Sequence, residues 1–65
     1  MKIIAVLDFM KKHGHINKWE AMKYLSVFDL NEQIIELRKY GYKIKEEWIT
    51  SVTEVGISYF PVYSL

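Results

Sequence analysis

The first part of the chain has the spacing of apolar positions typical of an α-helix. Apolar residues recur every three or four positions from Lys2 to about Lys12, and Gly14 follows where a left-handed residue often ends a helix. Ile4 and Phe9 widen this surface beyond one stripe, which predicts a first helix packed between other helices or shared with a second copy. The stripe itself comprises Ile3, Val6, Leu7 and Met10.

A second helix is indicated by its start. Asn17 and Glu20 have the spacing of a capping box, in which Asn17 accepts a hydrogen bond from the first turn and Glu20 reaches back. The helix is expected to continue to about Leu25. The segment between the first two helices, His15 and Ile16, is short and can form an edge strand of one bridge.

A third helix is expected after a turn of about three residues. Capping-box spacing occurs from Ser26 to Asp29 and again from Asp29 to Glu32. Gly41 ends the apolar repeat near Tyr40. The repeat consists of Leu30, Ile34 and Leu37, which is the clearest periodic segment of the chain.

The rest of the chain predicts an antiparallel hairpin. It is rich in aromatic and β-branched residues, with a turn between Ser51 and Gly56. Pro61 marks the second strand as an edge or terminal strand, since proline cannot donate to a ladder. The fold class is therefore α+β: a three-helix winged helix-turn-helix with a C-terminal two-stranded β wing, in which residues 1–65 form one domain.

Length and charge narrow the function classes. A chain of 65 residues has no material for a second hydrophobic core, which leaves little room for a substrate pocket. A hydrophobic fraction of 51% and an aromatic fraction of 15% favour self-association. The net charge of +1 divides into +3 over residues 1–28 (five lysines, two acidic residues) and −2 over residues 29–65 (four basic, six acidic). This is a weak basic footprint for a DNA-binding protein.

No group of residues has the spacing of a catalytic or metal site. The chain has no cysteine, which excludes disulfides and thiolate metal clusters. His13 and His15 are two residues apart with no third ligand nearby, and Glu32 and Glu36 have the spacing of surface carboxylates on one helix. We therefore expect no enzymatic activity, no metal, no cofactor and no small-molecule substrate.

The aromatic residues near the end of the chain have two interpretations. They can stack on unpaired bases, or they can close the hairpin over the helices. The small size of the domain favours the second interpretation. These residues are Trp48, Tyr59, Phe60 and Tyr63.

The apolar runs are too short for a membrane span. None approaches the length of about 20 residues that a spanning helix needs. Asp8 interrupts the N-terminal apolar stretch before it has the form of a signal peptide. We expect no membrane partner and a location in the cytoplasm.

The junction between the third helix and the hairpin resembles a known family. Leu37-Arg38-x-x-Gly41-Tyr42 is a leucine-arginine-x-x-glycine-tyrosine motif, and the ending Phe60-x-x-Tyr63-x-Leu65 accompanies it. Together with Leu30, Ile34, Lys39 and Ile44, this pattern is similar to the small winged helix-turn-helix domain of phage and prophage proteins. The similarity covers nearly the whole chain.

The resemblance implies that the third helix enters the major groove of DNA and that the wing touches the neighbouring backbone. Helical geometry places the outer face of this helix opposite its apolar stripe. Amide side chains can bond adenine, arginine can bond guanine or phosphate, and isoleucine can touch a thymine methyl. The predicted DNA-contacting residues are Lys18, Asn31, Glu32, Gln33, Ile35, Arg38, Lys39 and Lys43.

Arg38 has a particular place in this prediction. The positions three and four residues away hold Ile34, Ile35, Gly41 and Tyr42, so no carboxylate of its own helix neutralises it. We expect Arg38 to be free to meet an acceptor outside the domain.

Two partner classes remain open. The first is double-stranded DNA, bound by a homodimer on a palindromic site as a phage or prophage transcriptional regulator in the bacterial host cytoplasm. The alternative is a host protein, with the chain acting as an inhibitor or adaptor that blocks an enzyme or a defence complex. Relatives often carry arginine where this chain has Gln33, and basic residues where it has Ser58, Val62 and Ser64. Either DNA is recognised with little electrostatic help, or the fold serves another partner. The even charge balance and the apolar surface favour the protein partner, whereas the chemistry of the third helix favours DNA.

Overall fold

Three helices precede one antiparallel hairpin. The computed structural model describes residues 2–65, so Met1, the first residue of the predicted domain, lies outside the described residues. The elements are α1 (Lys2–His13), α2 (Lys18–Leu25), α3 (Leu30–Lys39), β1 (Lys45–Thr53) and β2 (Gly56–Ser64). The two strands form the sheet, and the predicted α+β class is confirmed.

The broad apolar surface of α1 is used mainly inside the chain. Phe9 is buried together with the predicted stripe, and its ring stacks on Tyr24 of α2 with 5.9 Å between the centroids. Ile4 alone among the apolar residues singled out on α1 is exposed. The helix is closed by Gly14, which follows His13, has a φ of +87° and donates its N–H to the Met10 carbonyl at 2.8 Å. Of the two interpretations of this surface, packing against neighbouring helices accounts for nearly all of it.

The start of α2 is the predicted capping box. The Glu20 N–H donates to Asn17 Oδ1 at 2.9 Å, and the Asn17 N–H donates to Glu20 Oε1 at 3.2 Å. The helix ends at Ser26, which has a left-handed backbone with φ +55°. The predicted capping box from Ser26 to Asp29 is therefore wrong, because Ser26 closes α2 and does not begin a new helix.

The turn into α3 is held by backbone contacts. The Val27 side chain is buried, and its N–H donates to the Ala21 carbonyl at 3.0 Å. Asp29 is the N-cap of α3 but makes no capping hydrogen bond with its side chain. Its ψ of +50° departs from the extended backbone usual at an N-cap, and its carboxylate accepts from Gln33 Nε2 at 3.3 Å. The second predicted capping box is thus also absent.

The hairpin is joined to the helices at its base. The strands pair from Lys45 opposite Ser64 to Thr53 opposite Gly56, with the turn within the predicted range. Ile16 forms a bridge with Tyr63, in which each N–H donates to the other carbonyl at 2.9 Å, as the one-bridge strand predicted between the first two helices requires. The Tyr63 side chain is only 3% exposed and belongs to the same core as the buried stripe of α3. The first-helix region and the end of the chain are therefore neighbours in space.

Candidate nucleic-acid interface

The outer face of α3 is exposed as helical spacing predicts. Its inner stripe, Leu30, Ile34 and Leu37, is buried in the core. Gln33 is half-buried at the side of the helix, where it bonds to Asp29. The exposed residues of the outer face include Asn31, Glu32, Ile35, Arg38 and Lys39.

The other two predicted site residues lie at opposite ends of α3. Lys18, at the start of α2, borders the same shallow depression as Asn31, between the helix starts and Pro61 of β2. Its Nζ lies 4.8 Å from the centre of the Trp19 ring. Lys43 is exposed in the connection from α3 to β1, near the end that carries Lys39. The structure thus brings Lys18 close to Asn31 but separates both from Lys43.

Arg38 holds the hairpin against α3. Its Nη2 donates to the Ile44 carbonyl at 2.9 Å and lies 4.0 Å from Glu46 Oε1 at the start of β1. The expectation that Arg38 is free to meet an outside acceptor is therefore wrong. Its acceptor is six positions along the chain, beyond the range in which partners within one helix occur.

A comparison with protein-family models agrees with the order of three helices and a hairpin. A model of the winged helix-turn-helix domain matches residues 3–65, which is nearly all of the chain. The chain belongs to this family. Comparisons with curated proteins and with solved structures find no significant match.

Membership of the winged helix-turn-helix family suggests DNA binding. Domains of this family are typically non-enzymatic DNA-binding modules. In this arrangement α2 and α3 are the helix-turn-helix pair, α3 has the position of the recognition helix, and the hairpin is the wing.

The recognition helix of this winged helix-turn-helix domain carries balanced charge. Glu32 and Glu36 oppose Arg38 and Lys39, and Lys39 Nζ lies 3.8 Å from Glu36 Oε1. The acidic residue of the first turn and the basic residues of the last turn both complement the helix dipole. The positive charge of α3 is therefore concentrated at its C-terminal end, and Lys43 follows in the loop.

The wing has no positive charge beyond its base. From Trp48 to Leu65, Glu54 is the sole charged residue of the sequence. The resemblance implies a wing that touches the DNA backbone, but beyond Glu47 this wing offers phosphates no cationic side chain. The sequence already contained this signal as the absence of lysine and arginine after Lys45.

The four aromatic residues of the ending divide into two pairs. Tyr63 is buried, and the half-buried Phe60 contacts Trp19 of α2 edge-on, with 4.7 Å between the centroids. Trp48 and Tyr59 are 61% and 65% exposed. The prediction that all four close the hairpin over the helices is wrong for this second pair.

Other possible chemistry is sparse. Among residues 2–65, no three His, Cys, Asp or Glu side chains are grouped closely enough to hold a metal ion. The His13 ring packs on Phe9, with 4.4 Å between the centroids, and His15 Nε2 lies 3.5 Å from Glu20 Oε1.

An open apolar depression of about 400 Å³ lies between α1 and the end of α3, lined by Ile3, Ile4, Leu7, Leu37, Tyr40 and Tyr42.

One titratable group of the hairpin is perturbed. Burial raises the pKa of Tyr63, and the nearby Glu46 carboxylate raises it further, while Arg38 opposes the shift. The Tyr63 hydroxyl therefore keeps its proton at neutral pH.

None of the helices within residues 2–65 has the length and apolar character required to cross a membrane.

Proposed function

We propose that this protein binds double-stranded DNA by inserting α3 into the major groove, as a phage or prophage transcriptional regulator in the bacterial cytoplasm. The observation that carries the proposal is the exposed outer face of α3 in a winged helix-turn-helix domain. Asn31 is exposed on the first turn of this helix, and an amide there has the donor and acceptor that adenine requires. Two copies on a palindromic site would double the small number of phosphate contacts.

Three lysines are assigned to phosphates. Lys18 flanks the start of α3, while Lys39 and Lys43 flank its end. Arg38 is left out of this set because it donates to the Ile44 carbonyl and lies 4.0 Å from the Glu46 carboxylate, which offsets its charge. Each phosphate contact contributes a slope of about −0.9 to the logarithm of affinity against the logarithm of salt concentration. We expect a slope of about −3 per copy.

The test begins with duplexes selected from a random pool, whose affinity is measured by fluorescence anisotropy over a range of salt. Lys39→Ala is expected to reduce the magnitude of the salt slope by about 0.9, the contribution of one phosphate contact. Asn31→Ala is expected to lose about 1 to 3 kcal/mol on the selected site and to relax its sequence preference. Lys12→Ala is the matched control, since Lys12 is exposed and borders the α1–α2 side of the molecule. Affinity that is independent of salt would exclude docking in a groove.

A second candidate is a protein-binding inhibitor or adaptor. The observation that favours it is Ile35, an exposed apolar side chain amid the balanced charges of α3. Ile35→Glu would weaken docking on either partner, whereas Lys39→Ala would weaken mainly DNA binding. Biological activity that survives Lys39→Ala and Lys43→Ala but is lost in folded Ile35→Glu would favour the protein partner.

A further inference from the structure

The bridge to Ile16 defines which backbone groups of the hairpin point outward. Both the N–H and the carbonyl of Tyr63 bond to Ile16, so they point away from β1. Residues of an antiparallel ladder alternate between inward and outward pairs, and the register here is unbroken. The outward residues are therefore Ile57, Tyr59, Pro61 and Tyr63 on β2, and Glu46, Trp48, Thr50 and Val52 on β1.

The two outer edges differ in protection. On β2, Tyr63 is already paired with Ile16, and Pro61 places its missing N–H at an outward position, where the ladder loses nothing. On β1, no residue within 2–65 pairs with the outward groups. From Trp48 to Thr53 this edge has no charged residue and no proline, the features that usually prevent strand pairing. The β2 edge is therefore blocked near its base, at Pro61 and Tyr63, whereas the β1 edge is open along its length.

We propose that β1 pairs antiparallel with β1 of a second copy, so that two wings form one four-stranded sheet. A two-fold axis at Ile49 places Trp48 opposite Thr50 of the second copy and Glu46 opposite its Val52. In this register every outward residue of both edges has a partner. A shift by two residues in either direction leaves outward groups of each copy unpaired.

The charges at the ends of β1 also fit a second copy. The proposed two-fold register places Lys45 opposite Thr53 of the second copy, next to its Glu54, and the same pair recurs at the other end. Because residues 48–53 are uncharged, the two β1 strands pair at their centre without bringing like charges together. This contact is independent of the proposed DNA binding and is measured on the protein alone.

The first test needs no substitution. Sedimentation at micromolar concentration is expected to show a dimer. As the dimer forms, amide protons of Thr50 and Val52 should gain protection from hydrogen exchange, whereas those of Ile57 and Tyr59 should not. A chain that stays monomeric at high concentration, or equal protection of both edges, would overturn the proposal.

The second test uses two proline variants at directly opposed positions. Thr50→Pro and Tyr59→Pro each remove an outward N–H, the first on β1 and the second on β2, and neither removes a ladder hydrogen bond. Thr50→Pro should weaken the dimer by about tenfold or more, since the symmetric pairing loses two hydrogen bonds. Tyr59→Pro should dimerise as the wild type does. A dimer that withstands Thr50→Pro but is weakened by Ile4→Lys would place the contact on α1 and overturn the proposal.

A third test covers the case in which Thr50→Pro fails to fold. The chain has no cysteine, so Ile49→Cys introduces a single thiol. At the two-fold axis the two copies of this residue form a pair with a Cα separation of about 4.5 Å, within reach of a disulfide. Ile49→Cys should cross-link under mild oxidation, whereas Ser51→Cys, on the same face but opposite Glu47 of the second copy, should not. Cross-linking of Ser51→Cys alone, or of neither variant, would overturn the register.

Discussion

The base and the distal part of the hairpin belong to the same two strands but have different surroundings. The base, residues 45–49 and 60–64, is held by the Ile16 bridge, by Arg38 and by the Trp19–Phe60 contact. The distal part, residues 50–59, has its own ladder and a hydrogen bond from Thr53 Oγ1 to the Gly56 carbonyl at 3.2 Å. The distal part is therefore held by the ladder and by this turn hydrogen bond, without the three contacts that fix the base.

The difference shows that an apolar strand face does not report how far a core extends. Tyr63, Tyr59 and Ile57 alternate along β2 and so share one face of the sheet. The helices cover this face at Tyr63 and leave it exposed at Tyr59 and Ile57. The sequence pattern is continuous, but the packing ends where the helices end.

The largest expected change in the free energy of unfolding comes from one of two tyrosine substitutions compared on that face. Tyr63→Ala empties a core position and should lower the free energy of unfolding by about 3 kcal/mol. Tyr59→Ala removes an exposed ring and should change it by less than about 0.5 kcal/mol. Urea denaturation at several low protein concentrations measures both and separates any contribution from self-association. Equal losses for the two variants in the monomer would mean that the distal part is packed as the base is.

A smaller effect is expected where Arg38 joins the base to α3. Arg38→Ala removes the hydrogen bond to the Ile44 carbonyl and should cost about 1 kcal/mol, an amount limited by the partial exposure of the side chain. Lys39→Ala, the neighbouring control, removes only an exposed ion pair with Glu36 and should be nearly neutral. Unchanged stability of Arg38→Ala, combined with weakened DNA binding, would restore Arg38 to the DNA-contacting set.

The smallest effect concerns pH. The folded pKa of Tyr63 is raised above its ordinary value of 10.0, chiefly by burial. The folded state therefore holds this proton more tightly, so its stabilising contribution is complete below pH 10 and is lost as the pH rises through the folded pKa. Tyr63→Phe should show a shallower loss of unfolding free energy above pH 10 than the wild type. Parallel profiles for the two proteins would mean that the Tyr63 hydroxyl is solvated.

Features specified locally were predicted well from the sequence. The α1 stripe, the Asn17 capping box and the α3 repeat each depend on residues within one or two helical turns, and all are confirmed. The same spacing at Ser26 and Asp29 failed because backbone angles decide whether a box forms. At Ser26 the left-handed backbone closes α2, and at Asp29 the backbone leaves the extended region.

The candidate site was predicted less completely, because part of it depends on distant residues. Exposure of Asn31 and Ile35 follows from helical periodicity alone. The engagement of Arg38 depends on where the chain turns back after Gly41, and the exposure of Trp48 and Tyr59 depends on where the helices stop. No local sequence pattern specifies where the chain turns back or where the helices stop covering the hairpin.

The Ile16–Tyr63 bridge also bears on the order in which the protein folds. It joins residues separated by nearly three quarters of the chain, whereas the contacts within each helix and within the hairpin are local. Closing such a long loop has a high entropic cost, so we expect this bridge to form late. Weakening Tyr63 should then mainly accelerate unfolding and leave the refolding rate nearly unchanged. The bridge would then slow the unfolding of the native state and contribute little to the folding nucleus.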